Sequence, residues 1–358
     1  MTSPAKDLRA GAVSDLLRDP LFVRGARSML LDYCGLGRCG RTLFICDPCV
    51  KPVCLAVEKI AAAEDIATKR VSAFLDWDHI RTQLEDGFTS AIIFQFAASL
   101  HTQPFIEFLT RREHSFHAYR LFGSSAETVR QGFRRRRSAL RARNWGLIQT
   151  ARRAGCLRVE SDCGTHLRVG LDSGASWSNS YGEFADGYPG VFPPAEVNTR
   201  SLDVDGVLVA DGAIGSNIGW PLDVRLADLP ITLRIVQGKV VDADCRHRLT
   251  RDLLWEFLRK PHCSEVAEIG IGTNDGISEF VPSDILLNER YAGFHLGIGS
   301  TLSKRLDRSL HLDFMLADCR MWMGRHLAFH KRKFVLPQIA KIPDRIGFPV
   351  NVRLHDAL

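Results

Sequence analysis

The chain has 358 residues, 45% of them hydrophobic and 25% charged, with a net charge of +6. That balance is typical of globular proteins and leaves room for one large domain or two smaller ones. No apolar run approaches the roughly 20 residues needed to cross a bilayer, and the opening MTSPAKDLRAGAV has no apolar signal region. The expectation is a cytoplasmic protein with no membrane partner.

The first half alternates apolar runs with helical patterns. RTLFICD (41–47) is predicted to be a buried strand, and the stretch Val53–Asp65 a helix with Val53, Val57, Ile60 and Ala61 at helical spacing. VSAFLDW (71–77), TSAIIFQF (89–96) and HAYRLFG (117–123) are predicted to be further strands, separated by helical stretches. This is β-α-β-α order, the mark of a parallel sheet flanked by helices. Gly35, Gly37 and Gly40 spell G-x-G-x-x-G, but they precede a strand rather than follow one. They are predicted to form a turn and not a dinucleotide site.

Two further features in this half invite a functional reading. Cys46 and Cys49 form a lone C-x-x-C among Cys34, Cys39 and Cys54. Without a second paired motif a zinc or redox role is disfavoured, and buried free thiols behave as small hydrophobes. FRRRRSALRAR (133–143) holds six arginines. Such a run can contact nucleic acid, but the aromatic interleaving of a single-strand platform is missing. The expectation is the solvated face of a helix and no nucleic-acid partner.

After about residue 156 strands dominate. HLRVGLD (166–172), DGVLVADG (205–212) and the stretch 222–245 are apolar or alternating, and RIVQGKVVDA is predicted to be a hairpin turning at Gln237–Gly238. A helix is predicted over 248–260. The whole is an α/β N-terminal domain with a parallel sheet, residues 1–155, followed by an α+β, mainly antiparallel domain, residues 156–358.

Four stretches of the second half put potential ligands in apolar settings. PGVFPPAEVNT (189–199) carries Glu196, CSEVAEIGIGTN (263–274) carries Glu265 and Glu268, GFHLGIGS (293–300) carries His295, and SLHLDFML (309–316) carries His311 and Asp313. On a strand, His311 and Asp313 share one face while Leu310, Leu312, Phe314 and Leu316 take the other. Taken singly each residue has an ordinary explanation. Glu196 can cap a helix or pair with Arg200, Glu268 can pair with an arginine, and His295 can be a satisfied core histidine. Together, converging carboxylates would repel one another without a cation, and a divalent metal is the simplest compensation.

The set of four resembles the metal-ligand motifs of the aminopeptidase T/aminopeptidase S family of dinuclear metallopeptidases. FPPAEVNT is similar to that family's F-P-x-G-E-V-x-T, AEIGIGTN to A-E-x-G-I-G-T-N, GFHLGIG to G-T-x-H-x-A-x-G and SLHLDFML to S-x-x-H-x-D, in the same order over roughly residues 185–325. The resemblance implies Glu196, Glu268, His295, His311 and Asp313 as metal ligands, with Glu196 or Glu268 moving the proton. It implies two ions of Zn²⁺, Mn²⁺ or Co²⁺, a homodimer, and a hydrolase that removes N-terminal residues from peptides or cleaves a related small amide. One position departs from it. The family has a tyrosine seven residues after the third motif's histidine, where this chain has Leu302, while Tyr291 lies on the other side of His295. A missing oxyanion donor can cost about 10²–10³ in rate. The alternative is a mononuclear ring-cleaving dioxygenase of the dihydroxypyridine type, with one Fe²⁺ held by His295, His311 and Asp313. A third class is a binding protein on a decayed peptidase fold.

Overall fold

Val53, Cys54, Ala56, Val57, Ile60 and Ala61 all lie buried along one helix, and that stripe covers a sheet whose inner strands are apolar on both faces. The structure, a computed structural model, describes residues 11–37, 40–95, 104, 107–108, 116–184, 189–216, 220–282, 284–299 and 310–336. Its backbone divides into two units, residues 1–138 with 180–194 and residues 139–179 with 195–358. The position expected for the domain boundary, residue 155, directly follows a long helix whose residues from 139 onward belong to the second unit.

The first unit holds helices α1 (Gly11–Arg18), α2 (Pro20–Ser28), α3 (Lys51–Ala63), α4 (Trp77–Glu85) and α5 (Ala126–Gly132). Its strands are β1 (Arg41–Cys46), β2 (Ala67–Ser72), β3 (Ser90–Phe94), β4 (His117–Leu121) and β8 (Gly190–Phe192). They form one sheet in the order β2-β1-β3-β4-β8, and every neighbouring pair is parallel. Buried on both faces, its inner strands carry continuous apolar runs, as parallel sheets do. The glycines 35, 37 and 40 lie ahead of β1, outside any strand-to-helix turn. One expectation fails: VSAFLDW is not a strand. Only Val71 and Ser72 belong to β2, which begins at Ala67, and Asp76 then caps α4 by accepting the His79 amide at 2.8 Å. The edge strand is largely exposed and so lacks the apolar signal. The cap signal of Asp76 ends the extended segment before Trp77.

The second unit holds α6 (Arg137–Ala154, from Ala139 on), α7 (Arg248–Leu258) and α8 (Ile285–Arg290). One eight-stranded sheet orders β13-β12-β10-β6-β5-β17-β18-β19. Its strands are β5 (Cys156–Glu160), β6 (His166–Gly170), β10 (Val204–Ala210), β12 (Ile231–Val236), β13 (Lys239–Cys245), β17 (Arg320–Met323), β18 (His326–His330) and β19 (Lys333–Phe334). The β12–β13 hairpin turns at Gln237 and Gly238, both with positive φ, as a tight two-residue turn requires. A six-stranded sheet orders β11-β16-β15-β14-β9-β7. It contains β7 (Ser178–Ser180), β9 (Glu196–Thr199), β11 (Ala213–Ser216), β14 (Val266–Gly272), β15 (Gly293–Gly299) and β16 (His311–Met315). Its ladders among β9, β14, β15, β16 and β11 are antiparallel. No helix among the described residues is long and apolar enough to cross a membrane.

Candidate metal centre

Cross-strand register decides which side chains of the six-stranded sheet share a face, because directly paired residues point the same way. Glu196 pairs with Gly272, Gly270 with His295, and Glu268 with Gly297. Gly297 pairs in turn with Asp313, and Gly299 with His311. All five residues of the four motifs therefore project from one face. The opposite face carries Val197, Ile269, Ile271, Leu296, Ile298 and Phe314, which are buried in the large apolar core.

The pairing partners are glycines for a reason of space. A Cβ on Gly270 would overlap the His295 imidazole, and a Cβ on Gly297 would lie 2.6 Å from His311 Nε2 and 2.8 Å from Asp313 Oδ1. Each glycine leaves a shallow floor on which a neighbour's long polar side chain lies flat. One irregularity sets which face Glu268 takes. Val266 pairs with Ile298 while Glu268 pairs with Gly297, so Ala267 is an extra residue in β14. This bulge puts Val266 against the core and Glu268 among the other polar groups.

Two clusters result. Glu196, Glu268 and His295 offer ligand atoms that all lie within 4.8 Å of one another. His295 Nε2 stands 3.1 Å from Glu196 Oε1 and 3.4 Å from Glu268 Oε1. In the second cluster His311 Nε2 stands 2.8 Å from Asp313 Oδ1. Two ligand atoms bound at about 2.1 Å to one ion lie about 3.0–3.4 Å apart. The separations in the first cluster fit that spacing, while the 2.8 Å between His311 and Asp313 is that of a direct hydrogen bond; the imidazole and carboxylate donors suit a borderline or hard divalent ion.

Two residues that motif reading missed complete the site. Arg290, at the end of α8, pairs its guanidinium with Glu196 Oε2, and both side chains are almost fully buried, at 5% and 6% exposure. Glu289 beside it lies 3.7 Å from the same guanidinium, with its side chain 15% exposed. The charged dipeptide Glu289–Arg290, set inside the apolar stretch between ILLN and YAGF, is the signal that could have exposed them. Helix α6 contributes a third. Asn144 donates to Asn179 Oδ1 at 2.8 Å and to the Glu196 carbonyl at 3.2 Å, and accepts from Thr273 Oγ1 at 2.6 Å. Asn198, within the first motif, donates to Glu268 Oε1 at 3.2 Å.

The electrostatics follow from this packing. Burial would raise the Glu196 carboxyl, but Arg290 and His295 outweigh it and hold it down at about 2. Glu268 is raised by burial and by the Glu196 charge. Glu289 is raised well above the usual range by burial, with Asp313 adding to the effect. Burial opposes charge on both histidines, yet Glu196 and Glu268 lift His295 to about 10, and Asp313 lifts His311 to about 9. Stripping the partner from a buried carboxylate such as Glu196 costs about 3–5 kcal/mol.

Other expected features lie elsewhere. Glu196 pairs with Arg290 where Arg200 was the partner considered, and Glu265 faces His262 and Lys239. Tyr291 stacks on Phe280, with the Arg332 guanidinium over its ring. Leu302 lies outside the described residues. Cys46 and Cys54 are buried and Cys49 is exposed, all as free thiols. The arginine run is mixed. Arg135 and Arg136 are exposed ahead of α6, while Arg143 binds the Asp275 carboxylate at 2.8 and 3.1 Å.

No protein-family model matches the sequence, and no curated protein is similar to it in sequence. Solved structures are similar in fold. The 2,5-dihydroxypyridine dioxygenase of Pseudomonas putida KT2440 superposes with a TM-score of 0.65 at 15% identity, over 91% of this chain and 98% of its own. AmpT from Thermus thermophilus superposes with a TM-score of 0.52 at 16% identity, over 84% of this chain and 94% of its own. At such identities the likeness is one of fold.

Proposed function

We propose that the chain is a metal-dependent hydrolase of the aminopeptidase kind, acting on the N-terminal bond of a peptide or on a small amide. One observation carries this reading: three carboxylates and two histidines of the four motifs share one sheet face in two adjacent clusters. Glu268, His295, His311, Asp313 and Glu196 are the residues that would hold a divalent ion. A bound Zn²⁺, Mn²⁺ or Co²⁺ would supply a Lewis acid and an acidified water near neutral pH. The protein's own groups do the rest. Asn198 fixes the Glu268 carboxylate, and Glu196 or Glu268 would carry a proton to the leaving amine. His311 and Asp313, rigid on β16, orient one another.

A second reading is a mononuclear Fe²⁺ ring-cleaving dioxygenase. It is favoured by the His311–Asp313 pair, which with one more ligand leaves open positions for oxygen and an aromatic substrate, and by the fold shared with the dihydroxypyridine dioxygenase.

Anaerobic purification followed by elemental mass spectrometry tests both readings. Zinc, manganese or cobalt, with release of free amino acids from unblocked peptides, is expected for the hydrolase. Iron with oxygen uptake on hydroxylated aromatic rings would replace it by the second reading. His311→Ala and Asp313→Ala are expected to abolish metal binding in either case; a folded variant with full metal would overturn the assignment of the site.

A further inference from the structure

We infer that Arg120 anchors a binding site for a small oxyanion, a carboxylate or a phosphate group, at the carboxyl edge of the parallel sheet. The site lies within the first unit and does not depend on the metal-dependent reading.

Arg120 is the fourth residue of β4 and pairs with Ile93 of β3 and Val191 of β8. Paired strand residues share a face, so its side chain extends the row formed by Ile45, Ile93 and Ala118, all of which belong to the apolar cluster of that face. A leucine or methionine would continue that packing. The chain places a guanidinium there instead, and the residue is 3% exposed. An arginine is almost never buried so deeply without an acidic partner. Among the described residues no carboxylate pairs with Arg120, and burial alone acts on its charge, lowering its pKa to about 10, so it stays charged at neutral pH.

The groups that touch it fix its direction. Nε donates to Gln95 Oε1 at 3.3 Å, and the guanidinium carbon lies 4.5 Å from the centre of the Phe122 ring. Gln95 is itself pinned: its amide donates to the Ser124 hydroxyl at 2.8 Å, and that hydroxyl donates to the Leu121 carbonyl at 2.6 Å. With Nε taken and one flat face covered, the terminal pair Nη1 and Nη2 remains. That fork grips two oxygens of one carboxylate or phosphate.

The place in the fold points the same way. From β1 the chain adds β2 on one side, and from β3 it adds β4 and β8 on the other. The order reverses between β1 and β3, and open α/β sheets bind ligands beyond the carboxyl ends of their strands at such a reversal. Gln95 directly follows β3 there. Phe122 and Gly123, which follow β4, are half-buried, so this edge is close to solvent.

Calorimetric titration of the full chain with inorganic phosphate, and separately with acetate, tests the site, with chloride at equal ionic strength as the blank. Wild type is expected to bind one equivalent of at least one of these anions. Arg120→Met is expected to bind it at least about tenfold more weakly, the loss of one charge-assisted contact. Tighter phosphate would assign a phosphorylated ligand, and tighter acetate a carboxylic acid. Metal per chain should be equal in the two proteins, which separates this site from an anion bound at a metal. A folded Arg120→Met protein that binds both anions as wild type does, or a wild type that binds neither, would overturn the inference. A second readout tells an anchor from an arginine that serves only the fold. In Tris buffer free of oxyanions, Arg120→Met is expected to resist urea at least as well as wild type, because it removes an uncompensated buried charge. A lower urea midpoint, or failure to fold, would also overturn it.

Discussion

Strands β3 and β15 are both buried along their whole length, yet they fill their second faces by opposite means. In β3, SAIIF, both faces carry the strand's own apolar side chains. Ala91 and Ile93 pack with Leu43 and Ile45, and Phe94 meets Phe44 with ring centroids 5.1 Å apart. In β15, GFHLGIG, one face carries Phe294, Leu296 and Ile298, and the other carries His295 between glycines. The space above Gly297 is taken by side chains that belong to β16. Equal burial can therefore mean two things. One strand supplies its own packing, and the other yields room for its neighbours' chemistry.

Substitutions can break that contrast. The largest effect is expected from Gly270→Val. Its side chain would collide with the His295 imidazole, and both bound metal and cooperative folding should be lost; a stable variant with normal metal content would show that the floor is not closely packed. Ile93→Ala, in β3, is expected to cost about 2–5 kcal/mol in urea unfolding while metal per chain stays unchanged. Lost metal there would mean that the parallel sheet also shapes the centre.

An acid titration sharpens the same contrast. Glu196 is held at about 2 in the folded chain against a usual value near 4.5. A depressed carboxyl stabilises the fold above its unfolded value and loses that contribution as pH falls toward its folded one. Between about pH 4.5 and 2 the metal-free protein should lose about 3 kcal/mol from this group alone. Arg290→Met should be destabilised already at neutral pH and show a flatter acid limb. Equal acid slopes for the two proteins would mean that Arg290 does not hold Glu196 ionised. The smallest effect is expected at the first unit's thiols: Cys46→Ser and Cys49→Ser should leave metal content unchanged, and a fall would revive a metal role for the C-x-x-C.

Much of this was legible in the residues themselves. Apolar runs marked β1 and β3, helical spacing marked α3, and Gln237–Gly238 marked its hairpin, because each is a local pattern. The polar face of the six-stranded sheet was legible for a different reason: the i, i+2 spacing of His311 and Asp313 put them on one strand face, and the family resemblance implied Glu196, Glu268 and His295 beside them. Arg290 and Glu289 were not, since they reach the site from the end of a six-residue helix and share no period with the sheet. Asn144 was hidden inside an arginine-rich helix whose charges suggested only a solvated face. The edge strand β2 escaped because exposure erases the alternation on which strand recognition depends.

The extra residue Ala267 has a consequence for which changes of length this part of the chain can tolerate. Side chains alternate, so a strand keeps a parity, and the bulge resets that parity between Val266 and Glu268. Insertions or deletions in the turn before Val266 can be taken up at the bulge without turning Glu268 over. Between Glu268 and Gly272 no such reset exists, and one residue added or removed there would send the carboxylate into the apolar core. Drift in length is thus confined to one side of Ala267, and natural variants of this chain should vary freely in loop length upstream of it and hold a fixed count downstream.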